Sequence, residues 1–178
     1  MTRLTTIRPE DATGATAEVF AKIKKAAGKV PNAYVMIGTH SPEALSAVLA
    51  FDAAVAASTL SKPDVEVIKL VVSEHAGCDY CVAAHTLMGK LAGLSGEQLK
   101  QARSGVATGD ATRDALVTYV STLVGTRGTV PAEAVDAIRA AGYTERQIIE
   151  INLAIASITF TNLVNRVNDT TVDFPAVG

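Results

Sequence analysis

The 178-residue chain has little of several residue types, and each shortage excludes a class of protein. It contains two cysteines and no tryptophan, and only 4% of its residues are aromatic. Two cysteines are too few for the disulfide framework of a small secreted domain. Charged residues make up 19% of the chain, and the formal net charge is −2 without a basic block. Nothing in the charge pattern therefore indicates a nucleic-acid surface.

Long apolar runs are also missing. The longest charge-free run of the C-terminal half, 151–165, is interrupted by asparagine, serine and threonine, and it is shorter than the ~20 residues that a membrane-spanning helix needs. The first ten residues lack the apolar stretch that is typical of a secretory signal. We therefore expect no membrane-spanning segment and a cytoplasmic location.

Hydrophobic residues are abundant, at 48% of the chain, and they recur at helical spacing. The length predicts a single domain over residues 1–178. Start and stop signals, such as Ser41-Pro42 before one helix and Gly28 after another, predict an all-α fold of about eight helices. The predicted helices cover roughly 15–27, 41–57, 61–77, 78–91, 95–103, 111–124, 131–141 and 144–167, with a short segment after Pro31 left unassigned.

Two cysteines and a histidine form the most informative motif. Cys78 and Cys81 are three residues apart at the predicted start of a helix, within disulfide reach across one turn. Backbone N–H groups at such a position favour thiolate over thiol and lower a cysteine pKa. His85 follows Cys81 by one turn on the same face. Because helical side chains lean toward the N-terminus, we expect the His85 ring to reach back toward the sulfur as a base.

Two glutamates are candidates for proton transfer at this motif. Glu66 lies twelve residues before Cys78 on the preceding helix, and Gly77 provides a turn that would fold that helix against the next. A carboxylate brought there could carry protons for the cysteine pair. Glu74 is only four residues before Cys78, but the bend expected at Gly77 makes it the second choice.

The pattern Glu66-x11-Cys78-x-Tyr80-Cys81-x3-His85 resembles the redox motif of the alkylhydroperoxidase D branch of the carboxymuconolactone decarboxylase superfamily, in its peroxidase-related members. The resemblance implies an alkylhydroperoxidase D-like helical fold and a homo-oligomer, commonly a trimer or hexamer. It also implies a cysteine pair that cycles between dithiol and disulfide, with Glu66 and His85 in the proton relay. The best-known members have histidine where this chain has Tyr80, which leaves Tyr80 as a pocket wall, a core aromatic or part of the relay.

The resulting prediction is a thiol-dependent peroxidase without a metal or organic cofactor, acting on hydrogen peroxide or organic hydroperoxides. Cys81 is taken as the attacking sulfur because His85 is its neighbour, although Cys78 has the better position at the helix start. Cys78 then closes the disulfide, and a protein or lipoyl dithiol restores the pair. The cysteine pair argues against lactone decarboxylation, because the decarboxylase branch lacks it.

Three other interpretations use the same residues. The first is a dithiol adaptor that passes electrons from a lipoyl or thioredoxin-like donor to a separate peroxidase. The second is a zinc site, since His75, Cys78, Cys81 and His85 supply the four nitrogen or sulfur ligands that structural zinc takes. The third is a helical scaffold with inert thiols, which would react slowly with alkylating reagents.

Overall fold

Nine α-helices make up the regular structure of residues 2–177, which a computed structural model describes. A short 3₁₀ turn at Pro9–Asp11 precedes them. The helices are α1 (Gly14–Ala27), α2 (Asn32–His40), α3 (Pro42–Ala56), α4 (Lys62–His75), α5 (Asp79–Leu91), α6 (Gly96–Ser104), α7 (Ala111–Gly125), α8 (Ala132–Ala140) and α9 (Glu145–Asn168). The described residues contain no β-strand, so the all-α prediction is confirmed.

Helix α2 accounts for the difference between eight predicted helices and nine observed ones. Its N-cap is Pro31, which provides no side-chain hydrogen bond, so the sequence carries no capping signal there. Burial stabilises the helix instead, because packing against the rest of the molecule overrides weak local preferences. The buried residues of α2 are Ala33, Val35, Met36, Ile37 and Gly38.

Several predicted helix starts are confirmed by hydrogen bonds from hydroxyl side chains. Ser41 accepts the backbone N–H of Ala44 at 3.1 Å, and Ser61 accepts that of Asp64 at 3.2 Å. Helices α6 and α9 begin with complete capping boxes, in which the cap and the third helical residue each satisfy a backbone N–H of the other. These caps fix the starts of α3, α4 and α9, which all contribute to the site described below.

Helix α4 lies at the centre of the bundle. All its residues from Val67 to Ser73 are buried, and it packs against α5, α6, α7 and α9. Burial on all sides is typical of a core helix. Helices α1 and α2 and the start of α3 form a second apolar cluster, in which Gly38 is needed for close approach. A Cβ at Gly38 would lie 2.5 Å from the Phe20 ring and 2.8 Å from Leu45.

Helix α9 is long and apolar enough, by length and composition alone, to cross a membrane. About a third of its most apolar stretch, 33%, is buried inside the molecule, where α9 packs against α3 and α4. These contacts make α9 one of the helices that enclose the core. Its other side exposes the large apolar residues Ile149, Phe160, Leu163 and Val167. The absence of a membrane-spanning segment therefore stays a prediction.

Candidate active site

The two cysteines meet at the start of α5, with their sulfur atoms 2.7 Å apart. Cys78 is the N-cap residue, and its sulfur accepts the backbone N–H of Cys81 at 3.4 Å. Both thiols are free and buried. Because the two sulfurs are already neighbours on one turn, a disulfide can form with only a small movement of the side chains.

A sharp bend at Gly77 places the cysteines against α4. The φ angle of Gly77 is 61°, in the left-handed region that favours glycine. A Cβ at this position would also lie 2.9 Å from Arg166 Nη1, and the Arg166 guanidinium donates to the Gly77 carbonyl. The predicted bend is confirmed, and the positive φ angle is the reason that glycine is favoured there.

The two thiols differ in acidity. The hydrogen bond shared with Cys81 lowers the pKa of Cys78, and the Cys81 backbone N–H and the Arg166 charge act in the same direction, against the effect of burial. The pKa of Cys81 is raised by its hydrogen bond with Cys78 and by burial, while Asn165 and Thr161 oppose this rise. Cys78 is therefore the more acidic thiol of the pair.

Glu66 and His85 form a second pair beside the cysteines. His85 Nδ1 lies 2.8 Å from Glu66 Oε2, which connects α5 to α4, and the two side chains are 15% and 14% exposed. The structure thus brings Glu66 and His85 together. The expected hydrogen bond from His85 to Cys81 is not formed among the described residues. Instead, Asn165 Nδ2 donates to the Cys81 sulfur at 3.3 Å.

Cys81, Glu66 and His85 line one cavity of about 320 Å³, which we name the Cys81 cavity. Cavities of ~300–1,000 Å³ with mostly apolar walls are typical of sites for small organic ligands. The remaining wall is largely apolar and aromatic and includes Ala33, Tyr34, Tyr80, Met88, Ile158 and Phe174. An organic molecule in this space would meet a sulfur, an imidazole and a carboxylate.

A partly buried ion pair forms another part of the cavity wall. Lys69 Nζ lies 2.8 Å from Asp52 Oδ1, and Asp52 also accepts hydrogen bonds from Ser157 at 2.9 Å and Tyr34 at 3.2 Å. Burial alone would raise the pKa of Asp52, but Lys69 and these hydrogen bonds hold it below its ordinary value. The charged pair holds α3, α4 and α9 together around the cavity. Both residues also line a neighbouring cavity of about 390 Å³, as do Glu66 and Met88.

Tyr80 is fixed as a wall of the Cys81 cavity. Its hydroxyl accepts the backbone N–H of Ala33 at 3.1 Å and donates to Asp173 Oδ1 at 2.8 Å. Its ring meets Phe174 edge to face, with centroids 5.4 Å apart, and burial is the main cause that raises its pKa. Because its single O–H is donated to Asp173, Tyr80 positions the C-terminal segment at the cavity.

The other candidate residues lie away from the cysteine pair. Glu74 Oε2 forms an ion pair with Arg103 Nε of α6 at 2.7 Å, and it is not among the residues that line the cavities at Cys78 and Cys81. His75 is exposed in the last turn of α4. Within residues 2–177, no group of three or more His, Cys, Asp and Glu side chains is arranged to hold a metal ion. The four proposed zinc ligands are thus not assembled.

The site also includes a row of polar side chains on α9, which were not among the predicted site residues. Ser157, Thr161 and Asn165 are spaced by four residues, and all three line the Cys81 cavity. Asn165 Oδ1 is buried without a hydrogen-bond partner, while its Nδ2 contacts Cys81. The signal in the sequence is the regular spacing of polar residues in an apolar helix. That spacing does not reveal which helix the row faces.

Comparison with known proteins supports the same family that the motif resembles. The sequence profile described as "Carboxymuconolactone decarboxylase family" matches residues 42–116, which include both cysteines, Glu66 and His85. No curated protein gave a significant match.

Several solved structures are similar over nearly the whole chain. One is an uncharacterized peroxidase-related protein from Ralstonia eutropha JMP134, described as an alkylhydroperoxidase AhpD core. It has a TM-score of 0.84 and 18% identity, over 97% of this chain and 92% of that one. The debrominase Bmp8 has a TM-score of 0.79 and 20% identity, over 97% and 93%, and it has also been solved in complex with 2,3,4-tribromopyrrole.

A third similar structure has higher sequence identity. It is a protein of unknown function from Agrobacterium tumefaciens, described as a candidate antioxidant defence protein AhpD. The identity is 28% and the TM-score 0.68, over 76% of this chain and 94% of that one. The three likenesses establish the helical fold.

Proposed function

Since this chain is an alkylhydroperoxidase D-like member of the carboxymuconolactone decarboxylase superfamily, we propose that it is a thiol-dependent peroxidase acting through Cys78 and Cys81. One observation carries the proposal: two free thiols have their sulfurs 2.7 Å apart, and one of them, Cys81, shares a cavity with the Glu66–His85 pair. A nucleophile, a base and a group that orients the base are the parts that covalent catalysis needs.

In the proposed first step, Cys81 attacks the hydroperoxide, because Cys81 is the sulfur that lines the cavity with His85. His85, which lines the same cavity, accepts the Cys81 thiol proton as general base. The Cys81 sulfur bonds to the terminal peroxide oxygen, the O–O bond breaks, and the departing alkoxide takes the same proton back from His85 and leaves as the alcohol. Cys81 is then a sulfenic acid, and the hydroperoxide has been reduced by two electrons.

The second step closes the disulfide. Cys78 attacks the sulfenic sulfur of Cys81, the S–O bond breaks, and the departing hydroxide takes the Cys78 proton and leaves as water. The two thiols and one hydroperoxide thus become one disulfide, one alcohol and one water. An external protein or lipoyl dithiol then supplies two electrons and two protons to regenerate the pair.

The size of the Cys81 cavity supports an organic hydroperoxide as the better substrate. At about 320 Å³, the cavity is far larger than hydrogen peroxide requires, and burying apolar substrate surface adds ~25 cal/mol per Å² to binding. Aromatic side chains such as Tyr34, Tyr80 and Phe174 suit a flat or branched apolar group. We therefore propose that hydrogen peroxide is reduced more slowly than cumene hydroperoxide.

We further propose that the enzyme acts in the cytoplasm as a homo-oligomer, a trimer or a hexamer. The large apolar residues left exposed on α3, α5 and α9 support association between copies, because a subunit interface would cover them. They are Phe51, Leu91, Ile149, Leu163 and Val167. Light scattering of the purified protein tests this proposal, and a monomer at micromolar concentration would contradict it.

Stopped-flow oxidation of the reduced protein tests the enzymatic proposal. We expect cumene hydroperoxide to oxidise both thiols faster than an equal concentration of oxidised thioredoxin does. Faster oxidation by the protein disulfide, with slow reaction toward every hydroperoxide, would instead favour the dithiol adaptor. The substrate series includes 2,3,4-tribromopyrrole, because the fold is shared with a debrominase and the cavity is lined by aromatic side chains.

A further inference from the structure

The two cysteines open onto different cavities. Cys81 lines the Cys81 cavity, whereas Cys78 lines a second cavity of about 220 Å³, which we name the Cys78 cavity. Among the described residues, only Tyr80 and Asn165 line both. The Cys78 cavity is polar and is also lined by Arg3, Gly77, Asp79, Arg166, Asp169 and Thr170.

Two arginines build the Cys78 cavity. Arg3 Nη1 donates to the carbonyls of Arg166 and Val167 at 3.1 and 3.0 Å, which places the N-terminal segment next to the end of α9. Arg166 in turn donates to the carbonyl of Gly77, so its charge lies beside the Cys78 sulfur. The formal charges of Arg3, Arg166, Asp79 and Asp169 cancel. The cavity therefore suits a small molecule with little net charge that presents one thiolate to Arg166.

Asn165 gives a second, independent indication of a ligand at this place. The residue is 3% exposed, and its Oδ1 has no hydrogen-bond partner. A buried carbonyl oxygen without a donor costs free energy, and the second thiol of a bound dithiol, still protonated at that stage, would supply the missing S–H donor. Because Asn165 also contacts Cys81, it lies at the boundary between the two cavities.

We infer that the Cys78 cavity binds the external reductant, a small aliphatic dithiol, and that this reductant attacks the sulfur of Cys78. The inference rests on the proposed thiol cycle and adds to it a separate site for regeneration. The hydroperoxide meets Cys81 in one cavity, and the reductant meets Cys78 in the other. The two reactants therefore do not compete for the same space.

The regeneration proceeds in two exchanges. The reductant thiolate bonds to the Cys78 sulfur, the disulfide breaks, and Cys81 leaves as a thiolate with the electron pair. Hydrogen bonds from Asn165 and Thr161 stabilise this thiolate. The second thiol of the reductant, deprotonated by solvent, then attacks the reductant sulfur bound to Cys78. It releases the oxidised cyclic disulfide and the Cys78 thiolate, and two electrons have passed to the protein.

Trapping the mixed disulfide identifies the sulfur that is attacked. The Cys78–Cys81 disulfide is prepared with diamide, mixed briefly with 2-mercaptoethanol, quenched in acid and mapped by peptide mass spectrometry. A monothiol has no second sulfur to complete the exchange within the adduct, and the acid quench protonates the Cys81 thiolate before it can displace the adduct. We expect the adduct on Cys78. An adduct on Cys81 would overturn the inference.

A crossed pair of tryptophan variants tests the two cavities separately. Val172, 40% exposed, lines the Cys78 cavity, and Met88, 44% exposed, lines the Cys81 cavity. We expect Val172→Trp to slow reduction of the disulfide by dithiothreitol by about tenfold, because exchange requires access to the attacked sulfur. Met88→Trp should instead slow oxidation by cumene hydroperoxide. Val106→Trp, in an exposed loop, should change neither rate.

The outcomes separate this inference from the proposed function. Unchanged dithiothreitol reduction in Val172→Trp, or a slowing in Met88→Trp alone, would overturn the assignment of the Cys78 cavity. Because diamide makes the disulfide, reduction is measured whether or not hydroperoxides react. Failure of the peroxidase proposal would appear separately, as unreacted thiols in the unmodified chain with every hydroperoxide.

Discussion

His85 Nδ1 lies 2.8 Å from Glu66 Oε2. A carboxylate oxygen only accepts hydrogen bonds, so Nδ1 is the donor in this contact, and in the matching tautomer of the ring Nε2 is the acceptor. Both residues are on helices, α5 and α4, and this fixes the orientation of the ring. The pair therefore presents one basic nitrogen, in a set direction, at the cavity that Cys81 lines.

Replacing Glu66 tests this orientation. In Glu66→Gln, the amide can donate to Nδ1 and stabilise the wrong tautomer of His85, so we expect kcat/KM for cumene hydroperoxide to fall by about 100-fold, the lower range of general acid–base effects. Glu74→Gln is the matched control, because Glu74 pairs with Arg103 away from the site. Equal losses in the two variants would exclude a specific role for Glu66.

Asn165 is expected to support the chemistry of Cys81. Asn165→Ala removes the donor to the Cys81 sulfur at 3.3 Å, so the thiolate of Cys81 becomes less favourable and its attack on hydroperoxide slows by about tenfold, as loss of ~1.4 kcal/mol implies. Asn162→Ala is the control. Asn162 is equally buried on the same helix, but it contacts Ser73. If both variants lose only stability and keep the same oxidation rate, Asn165 is structural.

The variant Tyr80→Phe tests whether Tyr80 only lines the cavity or also transfers protons. The variant loses the hydrogen bonds to Ala33 and Asp173 but keeps the ring, so we expect a loss of about 1–2 kcal/mol in unfolding free energy. Faster proteolysis of the C-terminal segment should accompany it. The rate of hydroperoxide reduction should remain within about threefold of that of the unmodified chain. Removal of a residue that carries protons would instead lower the rate by about 100-fold or more. A loss of that larger size would place the Tyr80 hydroxyl in the proton path.

The lowered pKa of Cys78 can be tested by measuring the rate of thiol alkylation at different pH values. A thiol with an ordinary pKa near ~8.5 loses alkylation rate as the pH falls below that value, whereas Cys78 should keep its rate until the pH falls through its lower pKa. Cys81→Ala removes the hydrogen bond that is the largest cause of the lowering. The pH below which the reaction with iodoacetamide slows should therefore be higher in Cys81→Ala than in the unmodified chain. Superimposable pH–rate profiles of the two proteins would contradict a lowered pKa of Cys78.

Local signals in the sequence were sufficient for most of the fold. Hydroxyl caps such as Ser41 and Ser61, and the glycine at 77, act within one turn of the chain, so they predict helix ends without knowledge of packing. Helix α2 was not predicted because its stability comes from burial against other helices rather than from a cap.

The site was predictable only as far as spacing within a helix allowed. Cys78 and Cys81 share one turn, so their contact follows from position. Packing of α4 against α5 at Gly77 was expected to bring Glu66 to the cysteine pair, and only the family resemblance indicated His85 as its partner in a relay. Asn165, by contrast, is 84 residues from Cys81, and the register of α9 against α5 depends on the whole core.

The disulfide itself is the most direct test of the account. Reduced protein is mixed with one equivalent of cumene hydroperoxide, and thiols are counted before and after, with peptide mapping of the product and with Cys78→Ser and Cys81→Ser in parallel. The account predicts loss of both thiols, a Cys78–Cys81 disulfide in the unmodified chain, and a trapped sulfenic acid only where Cys81 remains. Two intact thiols after the hydroperoxide is added would contradict it.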